Sequence, residues 1–328
     1  MAKPLRSGLR GLGAYVPEKI LTNFDLEKTV DTTDEWIRTR TGIRERRIAA
    51  KGQKASDLGF LAGKEALHDA GLDPEALDLI IVATITPDMF FPSTACAIQH
   101  QLGAKCGAFD MAAACSGFPY ALSVADSLIR SGSYQNILVI GSEVLSRFID
   151  WKDRSTCVLF GDGAGAAVIS SKTEGHEVIA STLGSDGSQG DILKIPAGGS
   201  ANPPTEETLK QGLHFLKMEG SEVFKVAVRT MDLAVREVLE KAGLGIQNID
   251  ILIPHQANKR ILQAVAERLD LPEEKVYINV DKYGNMSSAS TIVALYEAVK
   301  CGKIKKGDCV VLVAFGGGLT WGATVLKW

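Results

Sequence analysis

Three side chains in this 328-residue chain have the types that covalent chemistry uses: Cys115 in "AAACSGF", His255 in "PHQAN" and Asn285 in "YGNMS". A cysteine becomes a strong nucleophile once its thiol loses its proton. Histidine and asparagine offer N–H groups that stabilise negative charge developing on an oxygen. Each also has an ordinary reading. A free cysteine is commonly a small buried hydrophobe, a loop histidine is commonly a satisfied surface group, and an asparagine before "MSSAS" serves as a helix N-cap.

The elements that must position these groups are written around them. "AFDMAAAC" reads as an apolar strand of small residues, and "SGFPYALSVADSLIRSG" as a helix closed by Gly132. Cys115 is expected at their junction, where the positive end of the helix favours a thiolate. Further apolar runs ("LDLIIVAT", "NILVIGSE", "CVLFG", "AAVISS", "IDILIPH", "CVVLVAFGG", "GATVLKW") alternate with amphipathic stretches, the pattern of an α/β protein with buried sheets. The pattern is also written twice. "AGLDPEALDLIIVAT" from Ala70 matches "AGLGIQNIDILIPHQ" from Ala242 at an offset of 172 positions. "CSGFPYALSVADSLIRSG" from Cys115 matches "NMSSASTIVALYEAVKCG" from Asn285 at an offset of 170. Two similar halves, 1–174 and 175–328, follow. Cys115 and Asn285 then fall on equivalent helix starts, and His255 follows a strand where the first half has Ala83. Ligands of α/β folds gather at such strand ends and helix N-termini, so the three residues are expected at one cleft.

Bulk properties narrow the function. The net charge of -3 gives no global basic field for nucleic acid. The six cysteines form no CxxC and no metal-like pairing with the five histidines, which fits a reducing cytoplasm without a zinc site or disulfide framework. The N-terminus lacks the apolar segment of a secretion signal, and no run approaches a membrane span. "GDGAGA" (161–166) matches a dinucleotide fingerprint, but with strand-like residues on both sides it reads as a tight hairpin without a nucleotide.

The segments "DEWIRTRTGIRERRIA", "AFDMAAACSGFPYAL", "STCVLFGDGAGAAV", "EGSEVFKVAV", "IPHQANKRIL", "YGNMSSAS" and "VAFGGGLTWGA" resemble the thiolase-fold condensing enzymes. Within them they resemble the β-ketoacyl-[acyl carrier protein] synthase III family. The resemblance runs through the whole chain in order. It implies a five-layered αβαβα fold, a homodimer, and initiation of type II fatty-acid synthesis in the cytoplasm. A short acyl-CoA, here acetyl-CoA, would condense with malonyl-[acyl carrier protein], releasing CoA and carbon dioxide, with no cofactor or metal.

By this resemblance Cys115 is the nucleophile, and His255 and Asn285 stabilise the enolate of the decarboxylating malonyl group. The backbone N–H groups of Cys115 and Gly318 form the oxyanion hole. Trp36 and Arg154 contact adenine, Arg40 the phosphates or ribose, and Gly220, Phe224 and Asn258 the pantetheine arm. On the residues alone, Trp36 stands among Arg38, Arg40, Arg44, Arg46 and Arg47, a set able to hold an aromatic ring and phosphates. Phe91 of the partner subunit would close the acyl pocket and keep primers short. Gln256, Ala257, Asn258, Lys259, Arg260 and Lys225 would dock the acidic carrier protein.

Other readings share parts of this pattern. A thiolase would carry a second cysteine where this chain has Phe315, and elongating synthases use two histidines. A type III polyketide-synthase-like or secondary-metabolite enzyme uses the same triad, and an inactive acyl-CoA-binding homologue would need none of it. The polar stretch between residues 190 and 218, with Pro203 and Pro204 inside it, reads as a surface excursion without assigned chemistry.

Overall fold

The computed structural model describes residues 5–173 and 175–328. Glu174, the last residue assigned above to the first half, lies outside the described residues. One five-stranded sheet has the order Gly8–Tyr15, Asp162–Ser170, Asn136–Val144, Leu79–Ala83, Gly107–Met111. A four-stranded sheet has the order Glu177–Ser185, Thr320–Lys327, Cys309–Gly316, Ile251–Pro254. The two match strand for strand. Leu79–Ala83 runs parallel to Asn136–Val144, as Ile251–Pro254 does to Cys309–Gly316. Two antiparallel pairings follow in both sheets, and the first has one further parallel pairing, Leu79–Ala83 with Gly107–Met111. Where the first sheet has its fifth strand, the second has a single parallel bridge from Leu252 to Val276.

Runs such as "LIIVA" and "VVLVAF" are buried on both faces, which is why they are continuously apolar rather than alternating. The helices Gly117–Arg130 and Ser288–Lys300 fill the space between the sheets. Phe118, Leu122 and Ile129 of one and Ile292 and Leu295 of the other share a core with Ile81 and Val139 below and Ile253 and Leu312 above. Helix Ala55–Ala70 covers the outer face of the first sheet through Leu58, Ala62 and Ala66. Helix Gly220–Lys241 covers the outer face of the second through Met231, Val235 and Val238. The layers therefore run α, β, α, β, α.

Local expectations need three corrections. The strand expected to reach Cys115 ends at Met111. "CVLFG" is not a strand: Cys157 closes the short helix Arg154–Cys157, and a turn follows. "GDGAGA" is not a hairpin either. Residues 162–166 are extended within Asp162–Ser170, all paired with Asn136–Val144 and, from Ala164 on, also with Gly8–Tyr15. Its small residues answer a packing demand, since a Cβ on Gly165 would lie 2.5 Å from Ile292 of the central helix. Among the described residues no helix is long and apolar enough to cross a membrane.

Candidate active site

Cys115 lies in a single 3-10 turn, Ala114–Ser116, directly ahead of helix Gly117–Arg130. Ala114 has φ 45°, in the left-handed region. Gly284, which precedes Asn285 at the equivalent point of the second half, has φ 65°. Both side chains thus follow a residue of positive φ. A non-glycine residue held there costs on the order of 1 kcal/mol and needs surroundings that enforce it. Those are visible: Ser116 Oγ donates to Thr320 Oγ1 at 2.6 Å, and Thr320 Oγ1 donates to the Ala113 carbonyl at 3.0 Å. Gly316, ending its strand, abuts the same turn; a Cβ there would lie 2.5 Å from the Cys115 nitrogen.

His255 follows Ile251–Pro254 and is anchored by its backbone N–H, which donates to the Val313 carbonyl at 2.7 Å. Burial pushes its imidazole down to about 3, so it is neutral at physiological pH. Nδ1 is sealed from solvent with no hydrogen-bond partner. A buried N–H without an acceptor is costly, so the proton belongs on Nε2. Asn285 is oriented by its own turn. Its Oδ1 accepts from the Ser287 N–H at 2.8 Å, which leaves the Nδ2 donors for the cavity it lines. Its backbone is held by Leu159 and Gly161, which bond its N–H at 2.8 Å and its carbonyl at 3.0 Å.

Cys115, His255 and Asn285 line one cavity of about 570 Å³, together with the backbone of Gly316 to Gly318. Val223, Phe224, Ala227 and Met231 supply an apolar wall, and Trp36, Arg40 and Asn258 also line it. Burial of the thiol acts against the thiolate that the helix start favours. It pushes the Cys115 thiol up to about 12, the Ser287 hydroxyl opposing it, so the surroundings of the side chain favour the neutral thiol. Among the described residues no cluster of histidine, cysteine and carboxylate side chains is able to hold a metal.

Comparison with known proteins places this arrangement. Family models for 3-oxoacyl-[acyl-carrier-protein] synthase III match residues 109–187 and, for its C-terminal part, residues 239–328. The β-ketoacyl-[acyl-carrier-protein] synthase III of Caldanaerobacter subterraneus is 58% identical, covering 100% of this chain and 99% of that protein. The chain belongs to the β-ketoacyl-[acyl carrier protein] synthase III family. Solved structures agree. The 3-oxoacyl-[acyl-carrier-protein] synthase III of Aquifex aeolicus has a TM-score of 0.91 at 52% identity, covering 98% of this chain and 100% of that one. The corresponding synthase of Thermus thermophilus has a TM-score of 0.91 at 48% identity, covering 98% and 99%.

The other residues singled out by this family resemblance are distributed as follows. Trp36 and Arg40 stand one turn apart on helix Asp34–Thr41, with the Arg40 guanidinium 6.0 Å from the Trp36 ring. Arg154 lies 4.9 Å over that ring, outside the cavity wall. Gly220, Phe224, Ala257, Asn258 and Gly318 all line the cavity, and Arg260 lies 5.7 Å over Phe224. Lys225 is exposed and ion-paired with Glu222, while Lys259 faces a separate cleft shared with Arg44 and Asp281. Phe91 is 83% exposed and apart from the cavity of its own chain.

Two expectations fail. Gln256 is 1% exposed and cannot dock a partner protein. Its amide donates to the Pro254 and Tyr277 carbonyls and accepts from the Asn279 and Val280 N–H groups, so its full bonding capacity is used inside. Arg46 is not available to phosphates. It is fully buried and donates to the Leu21 and Val158 carbonyls and to Asn23 Oδ1. Sequence reasoning also missed a wall of the site. Leu193, Ile195, Leu216 and Met218, at the two ends of the polar excursion, line the cavity, and Leu193–Lys194 pairs antiparallel with Lys217–Met218. The apolar residues flanking a polar stretch are the signal that was present.

Proposed function

We propose that this chain condenses a short acyl-CoA, acetyl-CoA by preference, with malonyl-[acyl carrier protein], and so starts type II fatty-acid synthesis. The observation that carries the reading is the meeting of Cys115, neutral His255 and Asn285 in one largely apolar cavity of a chain of this family. Cys115 Sγ attacks the acyl-CoA carbonyl. The CoA sulfur leaves, and the cysteine proton ends on it. The tetrahedral oxyanion is received by the N–H groups of Cys115 and Gly318. Malonyl-[acyl carrier protein] then loses carbon dioxide, and His255 Nε2–H with Asn285 Nδ2–H holds the enolate oxygen. Its carbon attacks the acyl-cysteine carbonyl, and the Cys115 sulfur departs as the thiolate and takes up one proton from solvent to restore the thiol. No step calls for a cofactor or metal.

Around this centre Trp36, Arg154 and Arg40 would hold the nucleotide, Gly220, Phe224 and Asn258 the pantetheine arm, and Arg260 with Ala257, Asn258, Lys259 and Lys225 the acidic carrier protein. The exposure of Phe91 fits a homodimer in which it enters the partner's acyl pocket. The two halves, 1–174 and 175–328, would act as one cytoplasmic unit across their shared cavity. Intact-protein mass spectrometry after mixing with acetyl-CoA, then malonyl-[acyl carrier protein], tests the reading. One acetyl gain on Cys115, discharged by the second substrate, is expected. Cys115→Ser should lose it, whereas His255→Ala and Asn285→Ala should keep acylation and lose decarboxylation. Failure of every short acyl-CoA to load Cys115 would refute the proposal.

A further inference from the structure

Glu143 is a fully buried carboxyl near the cavity that the chemistry above leaves unused. It lies close to the end of strand Asn136–Val144 with 0% exposure, and among the described residues no cation is a leading influence on it. Its two oxygens are served unequally. Oε2 accepts from Thr86 Oγ1 at 2.6 Å, from Thr84 Oγ1 at 3.2 Å and from the Ile85 N–H at 3.2 Å. Both threonine hydroxyls are free to donate because each accepts a backbone N–H, from Val144 and Thr86 respectively. Oε1 has the long 3.4 Å approach of the Ile85 N–H and one close neighbour, Ser288 Oγ at 2.9 Å, while the Ser287 hydroxyl also bears on the carboxyl.

Ser288 Oγ is also 2.8 Å from the Ala83 carbonyl oxygen. A carbonyl only accepts, an ionised carboxylate only accepts, and a serine hydroxyl carries one proton. With Glu143 ionised, two acceptors would face that single proton. The count closes when Oε1 bears a proton and gives it to Ser288 Oγ, which then donates its own to Ala83. We propose that Glu143 is held as the neutral acid, donating from Oε1 to Ser288 Oγ, and that it positions the Asn285–Ser288 turn without bringing a charge to the cavity.

Burial acts in the same direction, raising the carboxyl above its usual range despite the hydrogen bonds that oppose it. The neutrality serves the site. A negative Glu143 disfavours a thiolate at Cys115, and the same field would oppose the enolate. A neutral acid keeps the geometric grip and removes the repulsion. The grip reaches the amide directly, because the Ser287 N–H in the same turn orients Asn285 Oδ1. This positioning role rests on the reading of Asn285 as an enolate donor; the protonation state does not.

The infrared difference between wild type and Glu143→Gln in D2O around neutral pH tests the protonation. A neutral-carboxyl C=O band lost in the variant is expected; loss of a carboxylate band instead would overturn it. Kinetics test the positioning. Glu143→Gln, which can still donate to Ser288 and accept at its oxygen, should keep malonyl decarboxylation within about threefold. Glu143→Leu should load Cys115 normally yet lose decarboxylation by about 100-fold, as a misplacement near 1 Å brings. Equal loss in both variants would mean the charge is needed, and no loss in Glu143→Leu would remove the positioning role. Asn285→Ala with intact decarboxylation would remove that role too, while the infrared band decides the protonation in either case.

Discussion

Gly316→Ala isolates the contact on which the nucleophile's placement depends. Gly316 has no positive φ, so alanine suits its backbone and only the added methyl is tested. That Cβ would meet the Cys115 nitrogen at 2.5 Å, Cys115 Cβ at 3.0 Å and Cys115 Cα at 3.1 Å. Ordinary contact begins at 3.4 Å, so the turn must retreat by about 0.9 Å. The obstructing atoms belong to the Cys115 backbone and its first side-chain carbon, so no flexible side-chain end can swing aside. Overpacking of this kind destabilises by about 1–3 kcal/mol. Displacing a nucleophile by about 1 Å costs about 100-fold in rate. The assay is the time course of Cys115 acetylation by mass spectrometry, with thermal unfolding in parallel. Gly199→Ala, whose Cβ meets nothing within 4 Å, is the control. A folded Gly316→Ala protein that loads acetyl at the wild-type rate would refute the reasoning.

Buried His255 sets an acid limit on stability. Its folded value of about 3 lies below the ordinary 6.5, so below pH 6.5 the unfolded chain binds a proton that the folded chain refuses. Stability from this group is therefore complete above 6.5 and is lost as pH falls towards 3; urea unfolding should show that slope reduced in His255→Gln. Trp36→Ala removes the ring under Arg154 and should raise the KM for acetyl-CoA by about tenfold while kcat holds, checked by steady-state kinetics over a range of acetyl-CoA. Phe91→Ala should shift the preferred primer from two carbons towards longer chains in a competition series. An unchanged profile would place the pocket end elsewhere.

Much of this protein was legible in the linear order of its residues, because the relevant physics is local. Apolar runs such as "LIIVA" mark strands buried on both faces, and the near-constant offset between the halves reports a duplicated topology. The equivalence of Cys115 and Asn285 follows from two matching helix starts. What the tertiary structure alone decided concerns atoms brought together from distant segments. Gln256 stands beside two candidate surface cations in sequence, yet carbonyls and N–H groups around Tyr277 to Val280 draw its amide inward. Arg46 sits in an arginine-rich run like its neighbours, but the Val158 carbonyl, 112 positions away, holds it in the core. Charge states followed the same rule. A helix start favours a thiolate, whereas burial by residues from both halves pushes the Cys115 thiol the other way. Local pattern carries conformational preference; desolvation and hydrogen-bond counting depend on the whole shell, which exists only once the two halves have closed.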